Sequence, residues 1–347
     1  MGQAVPAGIQ TPFPEAPAEG QAIEVAEGVL WMRLPLPMAL DHVNIFALDE
    51  GDCWALIDTG FYSKRGLRIW DKLFAGPLSG KPIGKVLITH HHPDHVGMAG
   101  WFQTHHEVEL LGSRTAWLMA RMLTLDDQSK PTPETLKFWR RAGMDPEIYQ
   151  ERKDGRPFNF ADMVYPMPLG FTRLVEGQSL CLGGRDWTVR MGNGHAPEHA
   201  TLWSDDLVIG GDQLLSTISP NLGVYATEPE AEPVGEWLES CTRLSSYATD
   251  NQLVLPGHKL PFRGLPFRLK QLIQNHHGAL DRLQAHIATP KTAHECFAPL
   301  FKRKIGHGEY GLALVEAVAH LNHLHQTGRA TRTQQADGEA WVYQAAR

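Results

Sequence analysis

The chain has 347 residues and a mass of 38.6 kDa, too long for one small module and suited to a large domain with an appendage or to two domains. Hydrophobic residues make up 42% and charged residues 20%, which excludes whole-chain disorder, and no run approaches the roughly 18 apolar residues that a membrane helix requires. The formal net charge of -7 argues against a generally basic, nucleic-acid-coating protein; the stretch from Arg263 onward carries 11 basic and 6 acidic residues, leaving 21 and 33 for the acidic front part.

Residues 1–20, rich in Pro, Ala and Gln, are expected to form a flexible tail and lack the basic start and apolar stretch of a signal peptide. From Gln21 the text is strand-like. Ala22–Val25, Val29–Leu34, Val43–Leu48 and Trp54–Ile57 are short apolar or alternating runs separated by turn residues, the last closed by Asp58-Thr-Gly. Leu67–Phe74 has helical spacing, Lys85–Thr89 is a buried-type strand, Val96–Phe102 starts a helix, and Val108–Leu111 is another strand. This alternation predicts an α/β layered architecture.

Residues 113–170 differ. They hold helical patterns at Thr115–Thr124 and Pro133–Arg141, followed by a stretch of Pro, Met and aromatics, and are expected to be an insertion that forms either a substrate wall or a plain covering layer. Strands resume at Leu180, Trp187–Met191, Ala200–Trp203 and Leu207–Ile209. An amphipathic helix at Glu232–Leu244 and a last core strand at Leu253–Leu255 follow. Beyond Arg263 the pattern is helical at Pro266–Ile287, Ala293–Phe301 and Gly311–His325, then two short strands around an Asp337-Gly338 turn, which suggests a winged-helix unit. The expected organisation is a tail at 1–20, a catalytic domain at 21–262 and a small, mostly helical domain at 263–347.

The four cysteines (Cys53, Cys181, Cys241, Cys296) form no C-x-x-C pair, so a disulfide framework or a thiolate metal site is not expected, and a reducing cytoplasm is the default compartment. Histidine is abundant, at 18 residues, and histidine is the commonest metal ligand.

The strongest local signal is Thr89-His-His-His-Pro-Asp-His95, directly after the Lys85 strand. Residues two apart in extended chain face the same side, so His90 and His92 can grip one ion, while Asp94 and His95, at the turn, can aim at a second. Spacing leaves His91 idle. Three further residues of metal-binding type each follow a strand and sit beside glycine: His195 in Gly192-Asn-Gly-His, Asp212 in Gly210-Gly-Asp, and His258 in Pro256-Gly-His. Nitrogen and oxygen donors of this kind suit zinc, and also iron, manganese or nickel.

On these motifs, Gln21 to about Phe262 resembles the metallo-β-lactamase superfamily of metal-dependent hydrolases. The resemblance implies an αββα sandwich with the site at one edge of the sheets. It implies that His90, His92 and His195 bind one ion, that Asp94, His95 and His258 bind another, and that Asp212 bridges them. Asp58 resembles the family aspartate that props the histidine loop, and Asp94 resembles the residue that orients the nucleophile and passes a proton to the leaving group. Two divalent ions are implied, zinc first, with iron or manganese as alternatives, holding a bridging hydroxide that attacks a carbonyl carbon. A bridging Asp212 resembles the glyoxalase II, lactonase and RNA-processing branches more than the antibiotic-degrading classes, and His92 stands where the diiron oxygen-reducing branch has Glu. The C-terminal part loosely resembles a winged-helix-like extension of some members.

The expected function is hydrolysis of a small ester, lactone or thioester, with phosphodiester or RNA cleavage as the alternative and a mononuclear iron persulfide dioxygenase behind it. A small-molecule substrate is the expected partner, a homodimer an alternative role for the tail, and nucleic acid is less favoured because the tail charge of +5 is modest and no aromatic-interleaved basic patch is present. His199 is expected in a supporting role, and His42 either faces the site or ends a strand.

Overall fold

The computed structural model describes residues 8–335 and 338–346; Asp337 of the expected turn and the start of the expected tail lie outside them. The described chain clusters into two compact units. One comprises the chain up to Asp127, Asn159–Pro220 and Leu244–Leu269. The other comprises Gln128–Phe158, Asn221–Arg243 and the chain from Lys270.

The first unit is built on two sheets. The larger follows chain order: β1 (Ile23–Ala26), β2 (Val29–Pro35), β3 (His42–Asp49), β4 (Trp54–Ile57), β5 (Ile83–Leu87), β6 (Glu109–Gly112) and β7 (Thr172–Arg173). Pairing is antiparallel through β4 and parallel from β4 to β7. The smaller sheet contains β8 (Ser179–Leu182), β9 (Arg185–Gly192), β10 (His199–Trp203), β11 (Leu207–Gly211) and β12 (Leu253–Pro256), antiparallel except for the β11–β12 pair.

The two-residue period of a strand explains the apolar runs. On β3, Phe46 and Leu48 enter the core between the sheets, where Trp187, Val189, Leu202 and Leu255 meet them. Ile45 and Ala47 enter a second core, beneath α1 (Lys64–Ala75) and its Ile69, Trp70 and Leu73. Burial on both faces removes the polar alternation of a half-exposed sheet. This is the α/β sandwich expected from the sequence. The expected helix from Val96 is two pieces, α2 (Pro93–Val96) and α3 (Ala99–His106), and α4 (Arg114–Leu125) follows β6.

Residues 8–20 do not run free as their composition suggested. Gln10 bridges to Arg263, Ile9 is buried, and Phe13 and Ala16 pack on the inter-sheet core. Apolar side chains in a Pro-rich segment find burial without needing a regular element.

The second unit contains α5 (Pro133–Arg141), α6 (Pro146–Asp154), most of α7 (Pro233–Ser245) and α8 (Leu265–His286), α9 (Phe297–Phe301) and α10 (Tyr310–Gln326). It ends in the antiparallel ribbon β13 (Ala330–Gln334) and β14 (Trp341–Ala345). Helix α6 carries no buried residue, so hydrophobic periodicity gave no signal for it; its Asp145 cap and Pro146 start were the legible cues. No helix among the described residues is long and apolar enough to cross a membrane.

Candidate metal centre

The loops leaving β4, β5, β9, β11 and β12 meet at one edge of the two sheets, and they carry Asp58 and all seven residues read above as ligands, while His42 and His199 open β3 and β10. Two main-chain bonds lock the sheets together there: Ala200 N–H donates to Thr89 O at 2.8 Å and Asn44 N–H to Gly257 O at 2.7 Å. Pro93 opens α2 directly after His92, so the chain turns at once from extended to helical and Asp94 and His95 face back toward the histidines.

Three overlapping groups of donor atoms result: His90, His92 and His195; His90, His95 and Asp212; and Asp94, His95 and His258. Within each group the ligand-type atoms lie within 4.8 Å of one another, so each could hold an ion. His92 Nδ1 lies 2.9 Å from His90 Nε2 and 3.0 Å from His195 Nε2. Asp212 stands in the middle. Its Oδ1 is 3.5 Å from His95 Nε2, and its Oδ2 is 3.4 Å from His195 Nε2 and 3.2 Å from His258 Nε2. Asp94 Oδ2 is 3.4 Å from His258 Nε2 and 3.6 Å from His95 Nε2. The structure thus brings together all seven residues read as ligands from the sequence. His91 is apart from these groups and lies parallel to the Phe160 ring.

Behind the donors lies a scaffold of hydrogen bonds. Asp58, buried and in the left-handed region at φ 60°, accepts from Thr89 N–H, Thr89 Oγ1 and His95 Nδ1, each at 2.8 Å. His258 Nδ1 donates to His42 O at 2.7 Å. The Asp212 N–H donates to His199 Nε2 at 3.1 Å, so His199 stands behind the donors and holds the backbone of one of them. His42 joins through its backbone and through Nε2, which accepts from Lys259 N–H. Sequence reasoning missed Asn44 and Gly257. Their neighbours come from distant segments, and a lone Asn in a strand or Gly before a His carries no local pattern.

The electrostatics divide the site in two. Burial holds the His90 and His92 imidazoles well below the ordinary histidine range, and neighbouring imidazoles add to the effect. These rings are neutral donors. Burial also acts downward on His95 and His258, but the carboxylates override it: Asp212, Asp94 and Asp58 hold His95 well above the usual range, and Asp212 with Asp94 raises His258 to about 10. Burial acts upward on Asp212, and His258 and His95 drive it well below the carboxylate range. Protons on these rings supply positive charge that a divalent cation would supply instead. The buried atoms His95 Nε2 and Asp212 Oδ1 also have no hydrogen-bond partner among the described residues. A buried polar atom without a partner is costly. Neutral imidazoles, fixed carboxylates and unsatisfied inward-facing atoms are what an N/O metal site requires.

Comparison with known proteins agrees. Residues 38–258 match the model of the metallo-beta-lactamase superfamily, and residues 280–346 match the metallo-beta-lactamase-like C-terminal domain. The chain belongs to the metallo-beta-lactamase superfamily, a superfamily of metal-dependent hydrolases, and carries its C-terminal domain. Among individual proteins, it is 34% identical to a beta-lactamase domain protein from Burkholderia ambifaria, whose crystal structure superposes with a TM-score of 0.89 over 97% of this chain and 98% of that one. A metallo-beta-lactamase family protein from Thermus thermophilus is 25% identical, with a TM-score of 0.78 over 93% of this chain and 100% of its own. A protein described as probable metallo-hydrolase YqjP, from Bacillus subtilis (strain 168), is 26% identical over 308 residues, 85% of this chain and 92% of its own.

Proposed function

We propose that the chain is a binuclear metal-dependent hydrolase that cleaves the carbonyl ester bond of a small ester, lactone or thioester. The observation that carries this reading is the place of the buried Asp212 carboxylate, within 3.2–3.5 Å of His195 from one donor group and of His95 and His258 from another. His90, His92 and His195 would hold one divalent ion, and Asp94, His95 and His258 a second, with Asp212 shared. The N/O donor set favours zinc, with iron and manganese compatible. When bound, such a pair supplies Lewis acidity and lowers the pKa of water from about 15.7 toward 7.

The protein's own groups do the rest. Asp94 orients the attacking water and carries its proton to the leaving alkoxide or thiolate. The new bond joins water oxygen to the carbonyl carbon, and the bond broken is that from the carbon to oxygen or sulfur. Asp58 fixes His95 by accepting its Nδ1–H, which aims Nε2 inward.

Two observations support a small substrate over a polynucleotide. Three tail arginines that could bind phosphate are engaged within their own unit: Arg303 with Glu309, Arg329 with Asp281, and Arg332 with Glu230. In the first unit, α4 carries Leu118, Met122 and Leu125 exposed along one face, and its first turn is held by Glu198, from the loop of His195, which accepts from Thr115 N–H at 3.0 Å. That apolar face is the proposed wall for an acyl group, the first of the two roles open to the 113–170 segment. The proposed catalytic domain is 21–262, and the cytoplasm is the proposed compartment, in line with four free cysteines.

The test is elemental analysis of protein purified without chelator, with lactone, thioester, phosphodiester and RNA substrates on the same sample. Two ions per chain with carbonyl turnover is the expected result. One iron, or phosphodiester cleavage alone, would replace this reading with the dioxygenase or the nuclease.

A further inference from the structure

We infer that Asn44 is a positioning residue that sets the His258 imidazole, and through it the affinity of the ion held by Asp94, His95 and His258. The inference rests on the binuclear reading above. Asn44 lies on β3 of the larger sheet, far in sequence from His258, and is 1% exposed. Its carboxamide is fully used. Oδ1 accepts from Trp31 Nε1 and Arg33 Nε, both at 2.9 Å, and Nδ2 donates to Pro256 O and Lys259 O, both at 2.8 Å. Two acceptor sites and two donor hydrogens are the whole capacity of the group.

The two carbonyls taken by Nδ2 bracket His258. The Asn44 backbone N–H takes one of the two between them, Gly257 O, at 2.7 Å. Lys259 is a non-glycine residue in the left-handed region at φ 69°. That conformation persists only where surroundings impose it, and here three contacts do so: Asn44 Nδ2 and an Arg33 guanidinium nitrogen on its carbonyl, and His42 Nε2 on its N–H. The turn so fixed presents His258 Nδ1 to His42 O and leaves Nε2 toward Asp212 and Asp94.

The clamp acts on one donor group. His258 belongs to the set with Asp94 and His95 and to neither of the others. The His90, His92 and His195 set is supported elsewhere, His90 by Thr89 Oγ1. Aspartate at position 44 would keep the shape and both acceptor contacts, but it has no N–H to offer two carbonyl oxygens. The clamp requires a carboxamide of this length.

The experiment is zinc titration of the metal-free full chain against a chromophoric chelator, for wild type, Asn44→Asp, Asn44→Ala, Arg33→Gln and Trp31→Phe, with far-UV circular dichroism to select folded variants. Wild type is expected to take two ions with resolvable affinities. Both Asn44 variants should weaken one ion by about ten- to hundredfold, the range for loss of a ligand-orienting partner, and leave the other within about threefold. Arg33→Gln, which loses one bond to Lys259 O and one to Asn44 Oδ1 but leaves both Asn44 Nδ2 bonds, should move the same ion by less. Trp31→Phe removes a donor to Oδ1 without touching the turn and should move neither affinity, which a merely structural role for Asn44 would not predict. If wild type takes two ions and the folded position 44 and 33 variants match it, or if both ions weaken equally, the clamp is overturned while the binuclear reading stands. If wild type takes one ion, the binuclear reading is overturned and the inference with it.

Discussion

His95 donates its Nδ1–H to Asp58 Oδ2 at 2.8 Å, and both side chains are buried. Asp58 also accepts from Thr89 N–H and Oγ1, so one carboxylate organises both the strand end and the proposed ligand that follows it. Asn fits the same space and tolerates the left-handed backbone, but offers one acceptor oxygen. Asp58→Asn is expected to fold and to lose metal affinity by about ten- to hundredfold. Asp58→Ala, which strands three buried donors, is expected to cost about 3 kcal/mol of stability or more. Chelator competition and denaturant melts check both; unchanged metal affinity in the folded Asn variant would remove Asp58 from the site.

The direct test of the donors is removal. His90→Ala and Asp212→Ala are each expected to lower metal content and turnover together, by at least about tenfold. Full activity in a metal-free His90/Asp212 double variant would end the metal mechanism.

Gly257 gives a subtler probe. A Cβ added there would stand 2.3 Å from Asp212 Oδ1 and 2.8 Å from His95 Cε1. A methyl group would therefore occupy the space between donors. Gly257→Ala is expected to reduce bound metal several-fold while the bond of Gly257 N–H to Gly211 O and the inter-sheet bond of Gly257 O to Asn44 N–H remain. Wild-type metal content in this variant would place the ions elsewhere.

Glu198 sits at φ 48°, a conformation disfavoured for a side chain with Cβ. Its carboxylate holds the first turn of α4 and its N–H donates to Asn193 Oδ1. Glu198→Gly relieves the backbone and loses the carboxylate contact, so its stability change should stay within about 1 kcal/mol. Glu198→Ala loses the contact and keeps the strain, and should cost about 1–2 kcal/mol. Equal melting temperatures for the two variants would contradict this balance.

The second unit has its own acid sensitivity. His276 lies nearly parallel to Trp237, with centroids 6.0 Å apart, and His320 is 5.8 Å from His276. Burial, aided by neighbouring imidazoles, lowers His276 to about 3; burial lowers His320 to about 4. Both are below the unfolded value near 6.5, so the unfolded chain binds more protons in between. Stability is full above about pH 6.5 and falls as pH drops toward 4, by up to about 1.4 kcal/mol per pH unit for each ring. His276→Phe, which fills the place without titrating, should flatten the fall between about pH 6.5 and 4.5 in denaturant melts. An identical pH slope would show that other groups dominate.

The donor residues of the proposed metal centre and most of the elements were legible in the chain before any fold was known. The reason is local: His90, His92, Asp94 and His95 share one strand-to-helix turn, and strand runs such as Val43–Leu48 and helices such as Pro133–Arg141 declare themselves by period and caps. Glycine beside His195, Asp212 and His258 marked the other strand ends. Tertiary structure alone decided which groups meet behind them. Asn44 reaches Pro256 and Lys259 across more than 200 residues, and Gln10 bridges to a backbone partner at Arg263. Periodicity reports whether a side chain is buried. It carries no information about which distant carbonyl a buried amide will find, because that choice is made by the register of two sheets packed face to face.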